Sequence, residues 1–269
     1  MPGTERGEAP RIGILVIHND PVPEIEMNDV APVGVSVHAA RFECPRPHDG
    51  EYVGSAAQAF VEAPDVSRGL DHLGQLGADS IGLCFGSSSF FGGVAFDEEF
   101  VERARSHAHG VPVFTAAMAI TAALRSAAVR RPLVVMPPWF TRPTFEATEK
   151  YLAEVGVECG GMMQFDLGDE WKDVKRYNSF DEGARWVVRG EEVCRQVSEG
   201  FPDGVDGVLI PGSGFRAQEA VVPLEKELGV PVITSNQACL WYGLRSVGSR
   251  VSGFPSPCGR LLELPLAAE

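Results

Sequence analysis

Residues 78–90 read ADSIGLCFGSSSF, and residues 205–215 read VDGVLIPGSGF. Each stretch is a short apolar run that ends in a Gly/Ser turn, as expected for a buried parallel strand and the loop after it. A second pair of matching stretches follows, GVPVFTAAMA at 110–119 and GVPVITSNQA at 229–238. The repetition predicts an internal duplication of one strand-and-helix unit. The alternative is a chance similarity between two parallel-sheet edges, where such strands are common.

Apolar runs and helical stretches alternate along the whole chain. Strands are predicted at 11–17, 33–42, 80–85, 111–115, 132–136, 157–165, 207–211 and 230–235. Helices are predicted at 54–76, 97–108, 116–128, 142–155, 182–199, 216–228 and 236–246. This alternation is typical of α/β proteins with parallel sheets whose faces are covered by helices. We therefore predict two Rossmann-like lobes, each with a four-stranded parallel sheet, related by a pseudo-twofold axis.

Composition excludes several classes of partner. The 269 residues carry a formal net charge of −14, a field that repels nucleic acid and anionic membranes. No apolar stretch is long enough for a membrane span, and the N-terminus has no signal-peptide core. The six cysteines form no CxxC pair, so we expect reduced thiols in the cytoplasm and no metal site. Nucleotide-binding fingerprints are also absent from the sequence.

Ligands in open α/β sheets bind beyond the carboxyl ends of the strands. Two of the loops there are the Gly/Ser turns at 86–89 and 212–214, called here the first turn and the second turn. Their backbone N–H groups and hydroxyls are suited to bind a carboxylate or phosphate. If the pseudo-twofold holds, the two turns face each other across one cleft. The alternative is that each turn only caps a helix, because Ser and Gly are common cap residues.

Six stretches together resemble one family. They are IGILVIHNDPVPEIE (12–26), GVSVHAARF (34–42), CFGSSSFFGG (84–93), PPWF (137–140), PGSGFR (211–216) and PVITSNQACLW (231–241). In this order they resemble motifs of the aspartate/glutamate racemase superfamily, in its maleate isomerase and arylmalonate decarboxylase branch. The resemblance implies a cofactor-independent enzyme, an isomerase or decarboxylase, that binds a small carboxylic acid between the lobes. It also implies a homodimer or homotetramer.

The resemblance further implies a division of the chain. We expect a flexible tail at 1–10, an N-terminal lobe at 11–128, a C-terminal lobe at 129–234, and a segment at 235–269 that packs back on the N-terminal lobe.

The cysteines that this branch places face to face across the cleft are replaced here. Aligned without gaps, the first cysteine position is Phe85 and the second is Gly212. Cys84 lies one residue before the first position and reaches it only if the turn contains an insertion. The family's first-loop Asn is Asp20, with Asn19 beside it, and its Tyr is Trp139. Phe85 and Trp139 indicate a substrate that is larger or more apolar than maleate.

Two residues are the predicted acid–base or nucleophilic groups, Cys84 and Asp20. A thiolate is a strong nucleophile, and a carboxylate beside an apolar wall has a raised pKa. The alternatives are a small buried residue for Cys84 and an Asp-Pro turn for Asp20. The predicted substrate-binding residues are Asn19, Phe85, Gly86, Ser87, Ser88, Trp139, Gly212, Ser213 and Gly214. A non-catalytic small-acid binding protein, and a diverged enzyme with a lyase, hydratase or cyclase reaction, remain alternative functions.

Overall fold

The computed structural model describes residues 9–47, 50–248, 254 and 258–266. Its strands form two parallel sheets of four. The strands are β1 (Arg11–Ile17), β2 (Ser36–Phe42), β3 (Ser80–Leu83), β4 (Val113–Thr115), β5 (Pro132–Met136), β6 (Gly161–Gln164), β7 (Gly207–Ile210) and β8 (Val232–Thr234). The orders β2-β1-β3-β4 and β6-β5-β7-β8 are equivalent, so each half of the chain builds the same sheet. The predicted α/β fold class is confirmed.

Helices cover both faces of the sheets. They are α1 (Val22–Val30), α2 (Ala57–Glu62), α3 (Pro64–Leu76), α4 (Gly86–His107), α5 (Ala116–Ser126), α6 (Arg142–Glu154), α7 (Arg176–Ser179), α8 (Arg185–Val187), α9 (Gly190–Gly200), α10 (Gln218–Leu228) and α11 (Ser235–Ser246). The central strands β1 and β5 are almost entirely buried. Burial on both faces explains why these strands are continuous apolar runs rather than alternating ones.

Several element boundaries differ from the prediction. The predicted helix 54–76 is two helices, because Pro64 starts α3 and Ala63 before it has an extended backbone. Helix α4 begins at Gly86, at the first turn, rather than at residue 97. It bends at Gly93, whose φ of 70° is positive and is adopted by glycine without strain. Helix α1 was not predicted, because the prolines around its start resemble a loop.

The region predicted as one helix over 182–199 is irregular in its first half. Phe180–Ala184 forms a π-helical turn with Gly183 at a φ of 105°, and the regular helix α9 starts only at Gly190. This irregular stretch lies against the cleft described below. Because the stretch is long and rich in charged residues, its position at the cleft was not predicted from the sequence.

Helix α11 packs against the N-terminal lobe although it follows the last strand of the C-terminal lobe. Trp241 is fully buried in a core that includes Ile12 and Ile14 of β1. The Ser80 hydroxyl of β3 donates to the Gly243 carbonyl at 3.3 Å. The predicted tail at 1–10 lies almost wholly outside the described residues, and the predicted domain boundaries remain a prediction. Among the described helices, none is long and apolar enough to cross a membrane.

Candidate active site

A cleft of about 830 Å³ lies where the strand ends of the two lobes meet. Ten of the predicted site residues line it: Asn19, Asp20, Cys84, Phe85, Gly86, Ser87, Trp139, Gly212, Ser213 and Gly214. Ser88 does not line the cleft. It is fully buried, and its hydroxyl donates to the Phe85 carbonyl at 3.1 Å within the start of α4. The duplicated turns therefore do share one cavity, as the pseudo-twofold predicts.

Asp20 lies in the loop after β1 and is only 3% exposed. Its Oδ1 accepts a 3.0 Å hydrogen bond from the Val22 N–H. Burial raises the pKa of the Asp20 carboxyl to about 7, against the opposing effects of this hydrogen bond and of the positive charges of Arg185 and Arg41. Asp20 is thus a turn residue at the start of α1 and, at the same time, a group that titrates near neutral pH.

Asp20 reaches across the cleft to the second turn. A Cβ placed on Gly214 would lie 3.0 Å from Asp20 Oδ2 and 2.5 Å from Phe180 Cε2. The carboxyl group and the phenyl ring therefore lie directly against the Gly214 backbone, and only glycine fits there. Beside it, the Ser213 hydroxyl lies 3.3 Å from the Ser235 hydroxyl, and the Ser213 carbonyl accepts from Asn236 Nδ2 at 2.8 Å.

Cys84 lies just after β3, 1% exposed, and belongs to an apolar core that contains residues of both sheets. A hydrogen bond with the Cys239 thiol, burial and the nearby Asp20 raise the pKa of the Cys84 thiol well above its usual value. A thiol in this state forms little thiolate at neutral pH and is therefore a poor nucleophile. The structure brings Cys84 to the cleft but gives it the surroundings of a buried structural cysteine.

The second cysteine position of the family has no room for a side chain. A Cβ on Gly212 would lie 2.2 Å from Pro137 Cγ, far closer than any contact between carbon atoms. At the first position, Phe85 is 8% exposed, and its ring packs 4.9 Å from the ring of Tyr52 and 5.8 Å from that of Phe42. These aromatic rings form one wall of the cleft.

The opposite wall is formed by Trp139 and a covering segment, residues 176–187, which the strand-end reasoning did not include. The Trp139 and Phe180 rings meet edge to face at 5.0 Å. Asp181 accepts a 2.8 Å hydrogen bond from Asn19 Nδ2 and pairs with Arg46, so the covering segment is tied to the N-terminal lobe. The rule that predicted the other loops would have found this one, because it follows the sixth strand.

Arg185 extends this wall behind Phe180. Its guanidinium carbon lies 5.0 Å from the centre of the Phe180 ring, and Nη1 donates to the Phe180 carbonyl. The guanidinium thereby holds the ring that lies against Gly214. It is also the positive charge with the largest lowering effect on the pKa of Asp20.

Two further buried carboxyl groups join the lobes away from the cleft. Glu26 Oε1 accepts from the N–H groups of Ala217 and Gln218 at 2.6 and 2.7 Å, and Oε2 accepts from Asn236 Nδ2 at 2.7 Å. Burial raises the pKa of Glu26 to about 7. Asp97 accepts from the hydroxyls of Ser89, Thr115 and Tyr151. Because Glu26 accepts from Ala217 and Gln218, and Asp97 accepts from Tyr151, both carboxyl groups link the two halves of the chain.

The cleft is acidic. Within the described residues its lining includes five carboxyl groups and one guanidinium, that of Arg46. The carboxyl groups are those of Asp20, Glu43, Glu51, Asp181 and Glu182. The part of the chain that the structure describes holds no cluster of three or more His, Cys, Asp or Glu side chains placed to bind a metal ion.

Two duplicated parallel-sheet lobes with a cleft between them define a class of α/β proteins. The family model described as arylmalonate decarboxylase matches residues 60–262. The chain belongs to the arylmalonate decarboxylase family, and the predicted branch of the superfamily is confirmed.

Relatives by sequence and by structure are enzymes. Arylmalonate decarboxylase of Bordetella bronchiseptica is 28% identical over 202 residues, which cover 72% of this chain and 76% of that protein. The structure of unliganded arylmalonate decarboxylase matches with a TM-score of 0.72 and 24% identity, covering 95% of this chain and 99% of the other. Maleate isomerase Iso from Pseudomonas putida S16 matches with a TM-score of 0.76 and 18% identity, covering 95% and 98%.

One solved relative contains a thiol adduct. A variant of the maleate cis-trans isomerase of Nocardia farcinica has a covalently bound succinylcysteine intermediate. That chain matches with a TM-score of 0.73 and 20% identity, covering 94% of this chain and 98% of the other.

Proposed function

We propose that the protein is a cofactor-independent isomerase or decarboxylase of a small carboxylic acid, bound in the cleft, and that Asp20 is its acid–base group. The observation that best supports this proposal is the Asp20 carboxyl, which is buried against the second turn and has a pKa of about 7. At neutral pH both of its protonation states are populated, which is the condition under which general acid–base catalysis is most effective.

The first turn supplies the other half of the site. Gly86 and Ser87 line the cleft at the start of α4, and the first N–H groups of a helix have no partner within it. A substrate carboxylate placed there accepts hydrogen bonds from these groups. When the adjacent carbon gains negative charge, the charge spreads onto the same carboxylate oxygens as an enediolate, and the N–H donors stabilise it.

Both proposed reactions pass through this enediolate. In an isomerisation, the Asp20 carboxylate removes the proton from the carbon next to the substrate carboxylate. It then returns the proton to another carbon of the substrate's π system, which is conjugated with that carboxylate. In a decarboxylation, carbon dioxide leaves, its bonding electrons remain on that carbon, and protonated Asp20 donates its proton there. Isomerisation thus starts with charged Asp20, and decarboxylation with neutral Asp20.

The residues of this cleft do not favour catalysis by a nucleophilic thiol. The succinylcysteine of the Nocardia relative requires a thiol that adds to its substrate. In this chain Gly212 and Phe85 occupy the family's cysteine positions, and the pKa of the Cys84 thiol is raised. A catalytic role for Cys84 remains a prediction, and Asp20 is the favoured residue.

A non-catalytic small-acid binding protein is the second candidate function. It is favoured because a Cβ on Gly212 would lie 2.2 Å from Pro137 Cγ, which leaves no space for a cysteine at that position. A diverged lyase, hydratase or cyclase would use the same acid–base group. For all of these candidates we expect a cytoplasmic protein that forms a homodimer or homotetramer.

Proton NMR in D₂O with a panel of small carboxylic acids tests the proposal. We expect deuterium exchange, isomerisation or decarboxylation with at least one acid, and loss of the rate by about 10²- to 10⁴-fold in Asp20→Asn. Cys84→Ser is the matched comparison, with a rate loss of less than about tenfold. Turnover that survives in Asp20→Asn but disappears in Cys84→Ser would refute the assignment of Asp20.

The sign of the pH dependence then separates the two reactions. For isomerisation, the rate rises as pH increases through about 7, because charged Asp20 is the base. For decarboxylation, the rate falls over the same interval, because neutral Asp20 is the proton donor. A rate that does not change through this interval in either reaction would contradict a role for Asp20 in proton transfer.

A further inference from the structure

The two duplicated turns are not equivalent in the folded protein. Asp20 Oδ2 and the Phe180 ring lie against Gly214 and cover the second turn. The Ser213 hydroxyl and carbonyl are already engaged by Ser235 and Asn236. The approach to the backbone of the second turn is therefore covered, and its serine hydroxyl is already engaged within the protein.

The first turn has no such cover. Gly86 and Ser87 line the cleft, and the nearest atoms to a Cβ on Gly86 would be in the Phe90 ring at 3.3 Å and the Pro211 carbonyl at 3.5 Å. None of the three atoms nearest to that Cβ is a carboxyl oxygen, whereas Asp20 Oδ2 lies 3.0 Å from a Cβ on Gly214. The duplicated cleft thus keeps one site for a ligand carboxylate and has filled the other with its own carboxyl group.

The charges around the cleft also disfavour a second ligand carboxylate. Arg46 is the one guanidinium in the described lining, and it is paired with Asp181. A second ligand carboxylate would lie near charged Asp20 in a partly desolvated cleft, where the nearby Arg185 guanidinium already contacts the Phe180 ring and donates to the Phe180 carbonyl. Like charges at such separations repel more strongly than they do in water.

We propose that the cleft binds acids with a single carboxylate and an apolar or aromatic substituent, and that it discriminates against dicarboxylates. The carboxylate lies at the first turn, the substituent lies between the Phe85–Tyr52 wall and the Trp139–Phe180 wall, and Asp20 faces the reacting carbon. This inference rests on the proposed function only for the location of the site. If the inference holds, the reaction is a proton transfer at the carbon next to the carboxylate rather than the loss of a second carboxylate.

The test compares phenylacetate with phenylmalonate, which differ by one carboxylate on the same carbon. Dissociation constants are measured by calorimetry at about pH 8.5, where Asp20 is charged. We expect phenylacetate to bind at least about tenfold more tightly than phenylmalonate. Asp20→Asn removes the charge at the second turn and is expected to reduce that preference by about tenfold or more.

Glu182→Gln is the matched control. It removes one negative charge from the lining of the cleft without touching the second turn, so the preference is expected to change by less than about threefold. A pH series on the unsubstituted protein repeats the test without any variant. The preference for phenylacetate shrinks as pH falls below about 7, because Asp20 becomes neutral.

Several outcomes would overturn the inference. They are equal or tighter binding of phenylmalonate, its decarboxylation to phenylacetate, an equal loss of preference in Asp20→Asn and Glu182→Gln, or no binding of either acid. Deuterium exchange at the phenylacetate methylene in D₂O is recorded in parallel. A preference for phenylacetate without any exchange would support the single-carboxylate site and count against the proposed acid–base function, so the two failures are distinguishable.

Discussion

Replacing Asp20 with Asn is expected to stabilise the protein at alkaline pH while it removes the acid–base group. Asn is nearly the same size as Asp, and its Oδ1 can keep the 3.0 Å hydrogen bond from the Val22 N–H. What the substitution removes is a charge that burial disfavours. The free-energy cost of the buried negative charge arises in the folded state, because Asp20 is only 3% exposed there.

The size of the effect follows from the pKa of Asp20 in the two states. It is about 7 in the folded protein, against an ordinary value of 3.8. A raised carboxyl pKa gives stability that is present at low pH and is lost as pH rises, at about 1.4 kcal/mol per pH unit between the two values. The whole interval corresponds to about 4 kcal/mol, and the part above about pH 5.5 corresponds to about 2 kcal/mol.

Thermal unfolding of both proteins at about pH 5.5 and about pH 8.5 measures this difference. Asp20→Asn is expected to gain about 4–8 °C in Tm relative to the unsubstituted protein between the two conditions. The contribution of Glu26, whose pKa is also about 7, cancels because it is present in both proteins. Asp203→Asn, an exposed change of the same kind, controls for charge alone. An equal Tm difference at both pH values would refute the raised pKa of Asp20.

Three further substitutions test other parts of the structure. Gly212→Cys, which restores the family's residue type, is expected to destabilise the protein by about 1–3 kcal/mol because its Cβ would overlap Pro137; unchanged urea unfolding would contradict the contact. Glu26→Gln is expected to cost about 1–3 kcal/mol in the same assay, because its amide would present a donor to Asn236 Nδ2. Cys84→Ser is expected to lower kcat by less than about tenfold, and a larger loss would return Cys84 to the mechanism.

The fold was predictable because its signals are local and repeated. The runs at 11–17 and 132–136 gave β1 and β5 with their observed boundaries, since central parallel strands are apolar along their whole length. The split at Pro64 follows from the backbone chemistry of proline, which favours the first turn of a helix and an extended residue before it. Helix α1 could not be told from a loop, because Pro21 and Pro23 are as common in turns as at helix starts.

The site was predictable only in part. Residues that directly follow strands, such as Asp20 and Gly214, were found because strand ends converge at one edge of a sheet. The contact between them was not, since it joins residues far apart in the chain. The covering segment at 176–187 has no regular apolar period, and the pairing of Cys84 with Cys239 joins a strand end to a distant helix. The contact between the two thiols leaves no signal in the sequence, and the only signal of the covering segment is its position after the sixth strand.

Four departures from the family pattern form a single rearrangement in the structure. Gly212 lies where a Cβ would overlap Pro137, and Phe85 places an aromatic ring at the other position aligned with a cysteine. Asp20 has replaced an amide with a carboxyl group that lies against the second turn, next to the position of the lost cysteine. Trp139 holds the Phe180 ring, which helps to exclude water from that carboxyl.

Each of these differences alone would weaken a thiol-based site; under the proposed function, the Asp20 carboxyl takes the place of the thiol. A cysteine titrates near pH 8.5 in water, whereas this buried carboxyl has a pKa of about 7. An exposed aspartate at position 20 would be charged at neutral pH and could not donate a proton. Under the proposed function, the aromatic walls therefore contribute to the acid–base chemistry, because burial raises the pKa of Asp20 into the range where both of its forms are available.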